Sequence, residues 1–153
     1  MKKEILNPYR KIEGYNCFGC SPNNPFGLRL SFFEEGDEIV LEWEPSKNYV
    51  GWDNILHGGI QATIMDEIAS WVVFTKLQTA GVTREMNVKY RKPVLISDGK
   101  ITCRAKLLEV NRSFARIEVK LYSKEILKAE AVCNYYVFDE AEAKERFFYP
   151  EKD

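Results

Sequence analysis

The stretch NILHGGIQATIMDEIASW, residues 54–71, contains the chain's only histidine, two adjacent glycines and a mostly apolar run that Asp66 and Glu67 interrupt. Its apolar residues cover more than one stripe of a helix with 3.6 residues per turn, which predicts a helix over about 58–78 that is buried nearly all round. Gly81 is the predicted C-terminal stop of this helix. The two acidic side chains then need an explanation, because each either faces water or is buried to do chemistry.

Alternating apolar residues predict β-strands on both sides of this helix. Before it, residues 28–32 and 39–43 alternate around a turn at 34–37, which indicates a hairpin. After it, four further alternating stretches run from about 82 to 137 and indicate an antiparallel meander. One antiparallel sheet of about six strands, wrapped around one long central helix, is the simplest arrangement of these elements, so the predicted fold class is α+β.

Composition and charge predict an ordinary folded protein of one domain over 1–153. The chain has 22 Lys and Arg against 23 Asp and Glu, so no net field favours nucleic acid or an anionic membrane. We expect an irregular N-terminal arm over 1–27, a core over 28–138 and a charged tail, with a short helix, over 139–153. The N-terminus lacks an apolar signal segment and no apolar run could span a bilayer, which predicts a cytoplasmic protein.

Two of the four cysteines, Cys103 and Cys133, fall on inward positions of predicted strands, where cysteine behaves as a small apolar residue. Cys17 and Cys20 form a C-x-x-C motif. A zinc site would need about two further ligands at comparable spacing, and the sequence offers neither a second C-x-x-C nor a pair of histidines. We therefore expect no metal site, and we rank a structural or incidental role for this motif ahead of metal or redox chemistry.

Asp66 stands in a row of small residues on one side of the predicted helix, and Ser70 lies one turn further along that row. Small neighbours leave room for a ligand, and the Ser70 hydroxyl is placed to bond the Asp66 carboxylate or a water beside it. Glu67 is turned about a quarter of a revolution away, so it is predicted to be solvated or salt-bridged.

His57, Gly58 and Gly59 lie where the helix begins, and the first N–H groups of a helix have no internal partners and form its positive end. The N–H of Gly58 or Gly59 is therefore a candidate for polarising a thioester or ester carbonyl, with Asp66 acting about two turns further on. A Ser-His-Asp triad has little support, because the chain has one histidine and no G-x-S-x-G motif. The residues alone leave a plainer alternative open, in which the glycines only start the helix, His57 packs and the acids are solvated.

The pattern H-G-G-x6-D over 57–66, followed by GVTREMNVKY over 81–90 and a proline at 93, resembles the hotdog-fold acyl-CoA thioesterases of the phenylacetate-pathway (PaaI-like) group. The resemblance covers about 28–138, and the segment 17–28 resembles the start of a sub-branch of this family. It implies a hotdog fold and hydrolysis of an acyl-CoA thioester, with coenzyme A as part of the substrate and no other cofactor. It also implies a homodimer with two sheets paired edge to edge, the active site between subunits, and often further pairing into a tetramer.

By the same resemblance, Asp66 is the nucleophile or general base at the thioester carbonyl, and the Gly58 N–H polarises the carbonyl oxygen. Thr83 and Ser70 are implied to help place water or the carboxylate from the facing subunit. His57 is expected to support the site.

The chain departs from this family at one position, because the family usually has Asn or Gln six residues before the histidine and this chain has Gly51. Either Asn54 substitutes from a rearranged loop, or turnover is weak. Coenzyme A phosphates need cations, and the candidates lie at strand ends or in a turn: Lys89, Arg91, Lys92 and Arg112. Two rivals stay open, namely a hotdog protein that binds acyl-CoA or acyl-carrier protein without turnover, and a hotdog dehydratase or hydratase that uses His57.

Overall fold

A seven-stranded antiparallel sheet packed against one long helix forms the body of the computed structural model, which describes residues 1–151. The strands are β1 (Lys2–Ile5), β2 (Phe32–Glu35), β3 (Glu38–Trp43), β4 (Val50–Trp52), β5 (Ile55–Leu56), β6 (Gly81–Tyr90), β7 (Ile101–Asn111), β8 (Phe114–Ser123) and β9 (Ile126–Val137). The helices are α1 (Gly58–Val72), which continues as a π-helical turn (Val73–Leu77), and α2 (Glu140–Phe147). Short 3-10 turns lie at Pro8–Lys11, Lys47–Tyr49 and Ile96–Asp98.

The strand order in the large sheet is β1-β2-β3-β7-β8-β9-β6, and β4 and β5 form a separate two-stranded hairpin just before α1. Helix α1 contacts β3, β6, β7, β8 and β9. The predicted α+β class is therefore confirmed, with the six expected strands all present in one antiparallel sheet. The helix α2 lies in the predicted charged tail.

The prediction of an irregular arm is wrong for Lys2–Ile5, which forms the edge strand β1 and pairs with β2 through Ile5 and Phe32. Three of its four residues are charged, so the segment carries no alternation that a sequence pattern could reveal; the partner strand supplies the order. The first hairpin strand also starts later than predicted. Leu28 and Leu30 are buried, but Arg29 between them has a left-handed backbone with φ 55, which breaks the extended conformation.

The core lies between α1 and the inward face of the sheet. On the helix side Ile64, Met65, Ile68 and Val72 are fully buried. The facing strand residues share complete or nearly complete burial, and they are Ile101, Cys103, Ala105, Ile117, Val119, Leu121 and Cys133. The predicted inward positions of the two strand cysteines are thus confirmed. Because the sheet contacts α1 along five strands, the helix is apolar on more than one stripe.

The two ends of α1 are set by a histidine cap and by a left-handed residue. The helix starts at Gly58 with His57 as its N-cap, and it ends through the π-helical turn at Gln78, whose φ of 55 reverses the chain. The prediction of Gly81 as the stop signal is wrong, since Gly81 is the first residue of β6. A Cβ there would lie 2.9 Å from the Tyr136 carbonyl oxygen, so glycine permits the close approach of β6 to β9.

Strand β6 is one edge of the large sheet, and within residues 1–151 it pairs only with β9. Most of its residues are exposed, including Val82, which is 44% exposed, and Tyr90, which is 51% exposed. A ten-residue edge strand of this kind presents unpaired backbone groups to a further strand. None of the helices in the described part of the chain has the length and apolarity needed to cross a membrane.

Candidate active site

The Asp66 carboxylate is held by two hydroxyl groups from the sheet. Thr83 Oγ1 on β6 donates to Asp66 Oδ1 at 2.7 Å, and Tyr135 Oη on β9 lies 2.6 Å from the same oxygen and 2.7 Å from the Asp66 carbonyl oxygen. No hydrogen bond within residues 1–151 reaches Asp66 Oδ2. One carboxylate oxygen is therefore anchored and the other is left to accept a proton or attack a carbon.

Tyr135 is a site residue that the sequence did not reveal. It is 1% exposed, and burial together with the Asp66 carboxylate raises its pKa well above the usual range. The hydroxyl therefore stays protonated and acts as the donor to Asp66. The available signal was its inward position on a predicted strand, because a buried tyrosine hydroxyl needs a hydrogen-bond partner.

Thr83 reaches Asp66 at an irregularity in the ladder between β6 and β9. Thr83 pairs with Tyr135, but the next pair joins Glu85 to Asn134, so Arg84 is an extra residue on β6. Such a bulge bends its strand and redirects the side chains beside it. The contact between Thr83 and Asp66 lies within one chain, whereas the resemblance implied help from the facing subunit.

Ser70 does not make the contact with the Asp66 carboxylate that the helical spacing predicted. Its Oγ donates instead to the carbonyl oxygen of Glu67, at 2.7 Å. A serine in a helix commonly bonds a carbonyl of the preceding turn in this way. Ser70 then lines a cleft on the side of α1 that faces the N-terminal arm.

Of the two candidate oxyanion donors at the start of α1, one is free within the described residues. The Gly59 N–H donates to His57 Nδ1 at 2.8 Å, so this candidate oxyanion donor is already used by the helix cap. The Gly58 N–H makes no hydrogen bond within the described residues, while the Gly58 carbonyl accepts from Tyr90 Oη at 2.7 Å. Gly58 is thus the one of these two candidates whose N–H is available at the positive end of the helix.

Gly58 and Asp66 of one chain do not form a single site. They are eight residues apart on one helix, which corresponds to about 12 Å along its axis at 1.5 Å per residue. An oxyanion donor and an attacking group must each lie about 3 Å from the same reacting carbonyl. The two groups can serve one substrate only if they come from different copies of the chain.

Strand β4, before α1, has Gly51 where the family usually has an amide. Gly51 lies beside the histidine, and a Cβ at this position would be 3.5 Å from His57 Cα. Asn54 points elsewhere, because its Nδ2 donates to Ser97 Oγ and its Oδ1 accepts the Ser97 N–H, both at 2.9 Å. Its left-handed φ of 61 fits this role as a loop clamp. Asn48 is the amide residue that lines the same surface pocket as His57 and Gly59.

The candidate cations for coenzyme A lie at two ends of the sheet. Lys89, Arg91 and Lys92 are exposed at the end of β6, where Arg91 Nε lies 3.4 Å from Glu130 Oε2. Arg112 is exposed in the turn between β7 and β8, at the opposite end. The strand register separates these ends by about seven residues, or about 23 Å. One chain therefore does not bring all four cations to one phosphate.

The prediction that Glu67 is solvated or salt-bridged is wrong. Its side chain lies against the N-terminal arm, where Oε1 is 3.5 Å from Cys17 Sγ. Burial and the neighbouring Cys17 raise the pKa of Glu67 to about 7. Cys17 and Cys20 together with Glu67 line the same cleft as Ser70, which has a volume of about 270 Å³. The sequence could not place this arm beside the helix, because fifty residues separate Cys17 from Glu67.

The sequence profile of the Thioesterase superfamily matches residues 53–130, which include His57, Gly58, Asp66 and Thr83. The chain belongs to the thioesterase superfamily. A curated relative is acyl-coenzyme A thioesterase 13 of Mus musculus, which is 27% identical over 89 residues, or 58% of this chain and 63% of that protein. The chain spans less than two thirds of the length of each of the two curated proteins that it matches.

Solved structures of the superfamily share this fold. Zebrafish thioesterase superfamily member 2 aligns with a TM-score of 0.64 at 24% identity and covers 71% of this chain and 81% of its own. A hypothetical thioesterase protein of Streptococcus pneumoniae, solved with coenzyme A, aligns with a TM-score of 0.62 at 20% identity and covers 66% of this chain and 81% of its own. The hotdog thioesterase fold expected from the H-G-G-x6-D pattern is therefore confirmed.

Proposed function

We propose that this thioesterase superfamily member hydrolyses an acyl-CoA thioester to a free acid and coenzyme A, with Asp66 as general base or nucleophile. The observation that carries the proposal is the Asp66 carboxylate, anchored through Oδ1 by Tyr135 and Thr83 with Oδ2 free of hydrogen bonds within residues 1–151. The mouse relative named as an acyl-coenzyme A thioesterase and the pneumococcal structure with coenzyme A support this substrate class.

Each group has a defined task in this proposal. Asp66 Oδ2 takes a proton from water as the water attacks the thioester carbon, or attacks that carbon itself. The Gly58 N–H donates to the oxygen as negative charge develops on it, at the positive end of the helix. The carbon–sulfur bond then breaks, and the coenzyme A thiolate leaves and takes up a proton. Where Asp66 itself has attacked, water then hydrolyses the acyl–Asp66 anhydride, which releases the free acid and restores the carboxylate. No cofactor beyond the coenzyme A of the substrate is required.

The separation of Gly58 from Asp66 supports an active site between two copies of the chain. The exposed edge strand β6 is where a second sheet can add, because its outer backbone groups are unpaired within residues 1–151. A homodimer formed in this way has two equivalent sites related by two-fold symmetry. Membership of the PaaI-like group and further pairing into a tetramer are part of this proposal, as is a cytoplasmic location.

The first test is thiol release from a panel of acyl-CoAs of varied chain length and aromaticity. Asp66→Asn should abolish hydrolysis of any substrate that the parent hydrolyses, because the amide cannot accept a proton as a carboxylate does. Asp37→Asn, an equivalent change at an exposed turn, is the control and should leave the rate unchanged. Parent-like hydrolysis by folded Asp66→Asn would show that Asp66 does not carry the reaction.

A second test separates a shared site from a site within one chain. Gly58→Pro removes the candidate oxyanion donor at the first helical position, where proline is well tolerated, while Gly58→Ala keeps the N–H. Removing such a donor typically lowers kcat by about 10²–10³-fold. Co-folded Gly58→Pro and Asp66→Asn chains should recover activity, since a mixed dimer has one site with both native groups. Mixtures as inactive as either variant alone would refute the shared site.

Gly51, at a position where the family usually has an amide, favours one second candidate, a hotdog protein that binds acyl-CoA or acyl-carrier protein without turnover. Heat stabilisation by acyl-CoA without thiol release from folded protein would support it. A dehydratase or hydratase gains less support, because His57 Nδ1 already accepts the Gly59 N–H and caps the helix. Formation of a hydrated product from an enoyl-CoA would reverse that ranking.

A further inference from the structure

Two thiols and one carboxylate converge where the N-terminal arm lies against α1. The Cys17 and Cys20 Sγ atoms are 3.3 Å apart, Glu67 Oε1 is 3.5 Å from Cys17 Sγ, and one ligand atom from each residue lies within 4.8 Å of the others. A tetrahedral zinc ion with Zn–S bonds near 2.3 Å and a Zn–O bond near 2.1 Å sets S···S and S···O separations of about 3.8 and 3.6 Å. The Cys17–Cys20 and Cys17–Glu67 separations would each need to widen by about half an ångström or less.

These three groups have no cationic partner in the described part of the chain. None of the ion pairs within residues 1–151 includes Glu67. Two deprotonated thiols beside one carboxylate would concentrate negative charge at one point, which a bound cation would balance.

The C-x-x-C turn packs closely against Glu67 of α1. The turn is closed by the Ser21 N–H, which donates to the Cys17 carbonyl oxygen at 3.0 Å. A Cβ on Gly19 would lie 2.5 Å from Glu67 Cδ, so only glycine lets the carboxylate lie against this turn. The turn and α1 therefore fit each other through the residues that would hold the ion.

We propose that Cys17, Cys20 and Glu67 bind one divalent cation of the zinc class, with a fourth coordination position open to the cleft beside Ser70. Two thiolates and one carboxylate suit Zn²⁺ better than Mg²⁺ or Ca²⁺, which prefer oxygen ligands alone. All three residues line the 270 Å³ cleft, so an ion held between them faces that space and keeps a place for water or an added ligand. The sequence-based expectation of no metal site overlooked Glu67 as the third ligand.

The site is separate from the thioesterase chemistry. Asp66 contacts β6 and β9, whereas Glu67, the next residue on α1, contacts the arm. Binding requires deprotonated thiols and therefore releases protons. Metal binding can thus be measured without any acyl-CoA substrate.

The test uses the full chain, reduced, treated with chelator and titrated with Zn²⁺ or Co²⁺. We expect about one ion per chain by mass spectrometry of the metal, thiolate-to-cobalt charge-transfer absorption, and a rise in melting temperature with Zn²⁺. Zinc below a tenth of an equivalent, or cobalt without thiolate absorption, would overturn the proposal.

Substitutions of the proposed metal ligands test which side chains bind the ion. Cys17→Ser and Glu67→Gln should each weaken binding by more than the roughly 10- to 100-fold that outer-shell changes typically cost. Gly19→Ala changes no ligand but displaces the Glu67 carboxylate, so it should also weaken metal binding. This variant keeps the ligand assignment testable if a cysteine variant does not fold. Cys103→Ala, which removes a thiol from the core, is the matched control and should bind like the parent. Parent-like affinity in Cys17→Ser and Glu67→Gln would place the metal elsewhere.

Discussion

Replacing Tyr135 by phenylalanine isolates the hydrogen bond that anchors Asp66. The ring stays in its buried position, so no cavity forms, and only the hydroxyl at 2.6 Å from Asp66 Oδ1 is removed. A hydrogen bond to a charged group contributes about 1.5–3 kcal/mol to stability. Thr83 still donates to the same oxygen, which favours the lower half of this range, about 2 kcal/mol.

Urea unfolding of the parent and of Tyr135→Phe measures this loss as a change in midpoint at constant slope. For a chain of this size, about 2 kcal/mol corresponds to a fall in melting temperature of about 4–8 °C. Tyr122→Phe is the control, because Tyr122 is half-buried and its hydroxyl makes no hydrogen bond within residues 1–151. The control should change stability by less than about 0.5 kcal/mol.

A double-mutant cycle with Thr83→Val tests whether both hydroxyls act on one oxygen. Neighbours that share a partner are expected to show an interaction energy of about 0.5 kcal/mol or more. A Tyr135→Phe loss no larger than that of Tyr122→Phe would refute the reasoning, since the hydroxyl would then not be hydrogen-bonded to the Asp66 carboxylate. Strict additivity with Thr83→Val would show that the two hydroxyls do not share Oδ1.

Three further outcomes are expected. Gly51→Asn places an amide beside His57 and should raise kcat by up to about 10²-fold over both the parent and Gly51→Ala; equal rates in all three would exclude that position from catalysis. Burial and the Asp66 carboxylate raise the pKa of Tyr135 in the folded state, so its contribution is present below the unfolded-state pKa of about 10 and is lost as pH rises above it. Tyr135→Phe should therefore lose stability less steeply than the parent between about pH 9 and 11 in urea unfolding. Arg112→Ala should raise KM for an acyl-CoA but not for the matching acyl-pantetheine, and equal changes for both would contradict a phosphate contact.

The large elements followed from local patterns. Alternation along β7, β8 and β9 and the broad apolar surface of α1 each depend on residues close in sequence, so the sequence indicated one sheet against one helix. The edge strand β1 did not follow, because Lys2–Ile5 carries no alternating pattern and is ordered by tertiary contacts, among them its pairing with β2. The end of α1 was misplaced for a similar reason, since the reversal lies at Gln78 in a left-handed conformation that has no strong residue signature.

The candidate site likewise combines residues that sequence spacing indicated with contacts that only the folded chain brings together. The H-G-G-x6-D spacing indicated Gly58 and Asp66 directly, but the contacts that fix Asp66 come from strands far along the chain. Tyr135 lies 69 residues from Asp66, and its role depends on the register of β9. Asn54 and Ser70 show the opposite case, since each has a plausible sequence position but bonds a different partner in the structure.

The sequence alone determined the fold class, the long buried helix with a free backbone donor at its start, and the acidic residue two turns along it, because these depend on periodicity and short spacings. The tertiary structure decided which side chains contact each of the two adjacent acids. Asp66 turns toward two hydroxyls of the sheet, while the adjacent Glu67 turns toward Cys17 and Cys20 of the arm. One step of about 100° around a helix separates these two environments, and only the packing of distant segments against each side gives them different chemistry.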